Sequence, residues 1–183
     1  MAQLQGIGNI VRNSVIGTVR GTGEMLDAVT ESVAHGLAAV LRGGDTAAGE
    51  LTGAVSDVAR GAMQGASEVG GDLATAAKGT VIGTLKGAVS ARVNALDAVA
   101  TAAGAAVKGA SQAGTDVAHT AKGAVEGAIW GAKDLGVDAA EVAAAAAGGA
   151  LEAAGDISEA ALVEVRRTVT GIIDGVHVEP RET

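Results

Sequence analysis

The side chains that could do chemistry in this sequence are few and scattered. His35, His119 and His177 lie far apart, and none has a ligand-type partner three or four residues away. There is no cysteine, which excludes disulfides, thiolate metal sites and cysteine nucleophiles. Gly6-x-Gly8 and Gly21-x-Gly23 lack the third glycine and the strand–helix setting of a dinucleotide loop, and GxxxxGK[ST] is absent. Acid pairs such as Glu24 and Asp27 fall on polar rows and read as solvated faces. The sequence therefore points to a protein that is not an enzyme. Nucleic acid is an unsuitable partner, because there is neither a basic patch nor aromatic interleaving.

What the chain has instead is periodicity. GTVIGTLKG at 79–87 returns as GAVEGAIWG at 123–131. One column, 22 residues apart, reads Gly17, Ala39, Gly61, Gly83, Ala105, Gly127, Gly149, Gly171. Four residues on it reads Gly21, Gly43, Gly65, Gly87, Gly109, Gly131, Ala153, Gly175. Gly61, Gly65, Gly83, Gly87, Gly127 and Gly131 are the candidate helix-interface residues, small side chains that admit a neighbouring backbone. A third column, Val19, Leu41, Met63, Leu85, Val107, Ile129, Leu151, Ile173, is large and aliphatic throughout. Acids share rows too: Glu24, Glu68, Asp134 and Asp156 in one, Asp72, Asp116 and Asp138 with Asn94 in another, both read as solvent-facing.

Such a repeat is an all-α architecture of Gly/Ala-rich helices. Twenty-two residues over six turns is about 3.67 per turn, a double hendecad, the period of a right-handed coiled-coil bundle or tube. Adjacent glycines at Gly43-Gly44, Gly70-Gly71 and Gly148-Gly149 are possible bends. Continuous helix and hairpins cut in whole repeats both keep this register. The 27 glycines between 17 and 175 would together cost an exposed helix roughly 20 kcal/mol against alanine. The chain must therefore self-associate, fold back on itself or pack on apolar material.

Three segments follow. Residues 1–23 carry Arg12 and Arg20, no acid, and apolar residues at helical spacing, the pattern of an interfacial helix or simply of the first repeat. Residues 24–175 are the helical repeat region, and 176–183, which contain Pro180, are a polar tail. Residues 134–183 hold ten acids and three bases, most of the formal net charge of −8. The basic end suits an anionic membrane surface and the acidic end a basic protein, solubility being the competing explanation. The start lacks a signal-peptide core, and the longest uncharged runs in the body, such as 98–107 and 142–151, are too short to span a bilayer. This reads as a cytoplasmic protein, peripheral to the inner face of the membrane. Trp130 is the only aromatic residue and stands in an otherwise polar column, Arg20 to Asp174. It reads either as a docking anchor or as a side chain lying over a neighbouring helix.

GTVIGTLKG at 79–87, AAVKGASQAG at 105–114 and GAVEGAIWG at 123–131, in an Ala/Gly/Val-rich chain with a basic start and an acidic end, resemble the non-catalytic stalk subunit of Huc-type mycobacterial uptake [NiFe] hydrogenase. The resemblance implies a tetrameric scaffold tethering a respiratory oxidoreductase at the membrane, with an apolar interior that carries menaquinone. It would assign the column Val19, Leu41, Met63, Leu85, Val107, Ile129 to the lumen. The acidic end, represented by Asp156 and Glu164, would dock the enzyme. Two alternatives belong to other classes: a phasin-like amphipathic coat of lipid or polyester granules, and a hydrophilin-like stress protein. A mean hydropathy of +0.34 and the strict register count against the last.

Overall fold

The computed structural model describes residues 2–19, 24–41 and 48–181. They form eight helices and one small hairpin: α1 (Ala2–Thr18), α2 (Met25–Leu41), α3 (Ala48–Glu68), α4 (Leu73–Ala91), α5 (Ala95–Gln112), α6 (Val117–Leu135), α7 (Ala139–Ile157), α8 (Glu159–Val169), β1 (Gly171–Ile173) and β2 (Val176–Val178). The fold class is all-α. Of the two arrangements open to the sequence, hairpins are the one adopted from α3 onward. Helices α4, α5, α6 and α7 begin 22 residues apart, so here the period is the length of one helix plus its turn. It is not the twist of a long coiled-coil helix.

Two columns build the turns. Gly70, Arg92, Gly114 and Gly136, spaced by 22, all have φ between 57° and 70°. Each closes its helix with paired backbone bonds, as in Val137 N–H to Ala132 O and Gly136 N–H to Lys133 O. Two residues later come Asp72, Asn94, Asp116 and Asp138, whose side chains accept from the first-turn N–H groups of Thr75, Asp97, His119, and Ala140 with Glu141. The acidic row is solvent-facing as expected, and its structural task is to cap helices. Gly70-Gly71 is a turn, Gly148-Gly149 lies inside α7, and Gly43-Gly44 is outside the described residues.

The chief helix contacts are between elements two apart: α1 with α3, α2 with α4, α4 with α6, α5 with α7. Contacts advance together along both members (Gly8 with Gly61, Arg12 with Gly65), so these pairs run parallel. The glycine stripe makes this possible. A Cβ on Gly83 would lie 2.6 Å from the Thr30 carbonyl oxygen, and Cβ atoms on Gly61, Gly127 and Gly149 would strike the backbones of Gly8, Lys78 and Ala100. The need for small-residue packing is thus met by the chain folding back on itself. Between the layers lies a core of valine, alanine and the aliphatic column, to which α1 contributes buried Val11 and Val15.

The chain after Thr170 departs from expectation. Gly171 and Gly175 keep the repeat register, but they belong to a hairpin whose turn, Asp174-Gly175, has φ of 47° and 79°. Ile173 and Val178 are buried, so residues 176–181 are a packed segment against α7.

Candidate functional site

The polar rows outside this core form an ion-pair ladder between parallel neighbours. Lys78 Nζ lies 3.8 Å from Glu126, Lys86 Nζ 2.9 Å from Asp134 and Lys108 Nζ 2.8 Å from Asp156. Each pair is 48 residues apart, two repeats plus one helical turn. Surface pairs of this kind contribute little individually, and their common 48-residue offset follows the register of the stacked helices. At the N-terminal end the Arg12 guanidinium forks onto Glu68, at 2.7 Å and 2.5 Å. That hydrogen bond holds the Glu68 carboxyl below its usual pKa and raises that of Arg12.

Trp130 sits where this ladder meets the hairpin. Its ring lies beneath Lys78 Nζ, 4.0 Å from the centroid, and its indole N–H donates to Asp174 Oδ2 at 3.1 Å. Lys133 Nζ donates to the Asp174 carbonyl oxygen at 3.0 Å. Of the two sequence readings, the neighbouring-helix one describes this geometry, though the ring stays 54 % exposed. A cation over the indole face and a carboxylate on its edge satisfy both poles of the ring. Asp174 and Lys78 were not singled out by the sequence. The available signal was that Asp174 follows Trp130 by two whole repeats in one column.

The other expected site residues are dispersed. Met63, Leu85, Val107 and Ile129 are buried in the core, and Val19 and Leu41 pack partly buried against it. Within this chain these residues pack the core or its margin. Gly65, Gly87 and Gly131 face Arg12 and Val15, Leu37, and Leu85. Asp156 is committed to Lys108, while Glu164 is exposed on α8 beside Arg167 and Thr168 in a shallow groove that reaches Asp116.

Neither His119, 3.7 Å from Asp72, nor His177, 3.2 Å from Glu179, has a second acid or histidine completing a ligand set, and among the described residues no metal-holding cluster forms. Burial pushes the Asp72 carboxyl up, but hydrogen bonds from Thr75 and Ala74 and the nearby His119 outweigh it and hold the pKa below the ordinary value. A groove of about 570 Å³ runs over α3, α5 and α7 and is lined by Ser56, Arg60, Thr101, Lys108, Gln112 and Glu152. It is a furrow left by Gly104 and Ala105 between longer side chains, and its residues are ordinary surface groups. No helix among the described residues is long and apolar enough to cross a membrane. No family model matches the chain, and no curated protein matches it.

Proposed function

We propose that this chain is a non-catalytic scaffold, a stack of helical hairpins that holds a partner protein through its outer polar rows. The observation that carries the reading is how the repeat is used. Its small and aliphatic columns are largely consumed inside the chain, and some of its titratable groups serve as caps and ion pairs. What remains outward is a ladder of charges ending in a strongly acidic C-terminal third. A basic protein surface is the complementary partner.

The membrane tether for a respiratory oxidoreductase is the form of this proposal that the stalk resemblance favours. The menaquinone conduit finds no support in a buried column. The use of α1 as a membrane-lying helix is weakened by Val11 and Val15 facing the core and Arg12 facing Glu68.

The test is to purify the protein from its source without detergent and measure the native mass and the organic-extractable content. A stoichiometric complex is expected, its affinity falling at least tenfold when the exposed Glu141, Glu152, Glu159 and Glu164 are changed to lysine. A chain that purifies without a partner, and whose surface reversal changes nothing, would overturn the scaffold. A chain that gains helix only on lipid would support a coat protein instead.

A further inference from the structure

The two ends of the helix stack are complementary, and one of them is covered by the chain itself. Along the stack, the carbonyl oxygens of Arg12, Ala34, Lys78 and Ala100 occupy one 22-residue column. Each faces a glycine of the helix two further on: Gly65, Gly87, Gly127 and Gly149. Ala144 of α7 stands two repeats beyond Ala100 in that column, and among the described residues no helix follows α8. The Ala144 carbonyl instead accepts the backbone N–H of Arg181 at 3.1 Å. One turn along, a Cβ on Gly148 would lie 2.6 Å from the Arg181 carbonyl oxygen. Residues 179–181 therefore lie where the glycine stripe of another helix would sit. They are held there by the hairpin, which Trp130 and Lys133 grip at Asp174.

The opposite end has the converse form. Ile10 is 66 % exposed, whereas Ser32, Ala54, Ala76, Ala98, Thr120 and Val142 in its column are all at most 8 % exposed. Gly17 lies on the same face of α1, and an added Cβ there would meet nothing within 4 Å, although Gly61, Gly83, Gly127 and Gly149 of its column are packed on backbone. A groove of about 240 Å³ lies beside Ile10 between α1 and α2, lined also by Ser14, Ser32, His35 and Ala39. Among the described residues, none covers this repeat face at Ile10 and Gly17.

We infer that the Ala144–Gly148 face of α7 is a docking surface for the α1–α2 end of a second copy of this chain, and that residues 179–181 occupy it as an intramolecular stop. The occupant follows from continuity with the internal packing. The face accepts a small-residue stripe with an apolar neighbour, and the uncovered α1 face supplies Gly17 and Ile10 at that spacing. Displacement of the tail exchanges one covering segment for another and permits a linear, heterologous stack. This inference goes beyond the scaffold reading and needs no other partner.

The test compares the full chain with one ended at Val178, which keeps the hairpin and the buried Ile173 and Val178. Sedimentation velocity across a concentration series is expected to show at least a doubling of weight-average mass on truncation, returned to the full-chain value by Ile10→Glu in the same background. A truncated chain that keeps its helical spectrum and melting profile yet stays at the mass of the full chain would overturn the inference. So would association indifferent to Ile10→Glu. Should truncation disturb folding, Arg181→Pro in the full chain removes the tail's N–H donor and is judged by the same masses. Because no partner protein is present, failure here leaves the scaffold reading to its own experiment.

Discussion

At the scale of single residues, the fold separates glycines that look alike. A Cβ on Gly149 would strike the Ala100 carbonyl, and one on Gly155 meets nothing within 4 Å. Gly149→Ala is therefore expected to destabilise by about 1–3 kcal/mol through forced separation of α5 and α7, while Gly155→Ala gains about 0.5–1 kcal/mol of helix propensity. Urea unfolding of the two variants checks both signs. Thr84 is fully buried, and its hydroxyl finds no hydrogen-bond partner, where Ala62, Ala106, Ala128 and Ala150 hold the same column. Thr84→Val keeps the shape and should raise stability by about 1 kcal/mol, read as a higher melting temperature. Asp72 gives the pH dependence. Its folded pKa lies below its unfolded one, so its contribution is complete above the ordinary carboxylate value and is lost as pH falls through the folded pKa. Asp72→Asn keeps a capping oxygen, and it should flatten the loss of stability in denaturant titrations carried below about pH 4.

At the scale of elements, the turn is specified by a left-handed residue and a cap two positions on. Arg92 is the non-glycine member of that column, at φ 57°. Arg92→Gly should stabilise by about 1 kcal/mol, checked by chemical denaturation against the parent. Helix, small stripe and aliphatic column were legible because one residue class holds each register from 17 to 175. The turns were not. Gly70, Gly114 and Gly136 have the same identity as packing glycines, and a capping Asp116 looks like any solvated acid until the backbone shows where it turns. Hence a period of 22 read as supercoil twist proved to be helix plus turn. The hairpin was hidden by the repeat itself. Gly171 and Gly175 fit the columns, although Ile172, Ile173, Asp174-Gly175, Val176 and Val178 spell β-branched strands around a two-residue turn. The site reading fared similarly. Trp130 stood out by type, but its partners Lys78 and Asp174 depend on which helices become neighbours.

At the scale of the whole molecule, stability in such a stack is close to a sum over neighbouring repeats. Deleting residues 73–116, two whole units, leaves Asp72 to cap α6 and preserves the alternation of layers. That chain should remain helical and unfold cooperatively at lower denaturant. A deletion of one and a half units should collapse helicity, because caps and stripes lose register; circular dichroism distinguishes the two. The same molecule contains no Tyr or Phe, and its one indole lies at the grip on the hairpin. All intrinsic near-ultraviolet emission therefore originates at the latch, with a lysine on the ring face and a carboxylate on its N–H. Fluorescence of the unmodified protein reports whether the C-terminal segment is seated, far-ultraviolet dichroism reports the helices, and any gap between their transitions measures how independently the end cover opens.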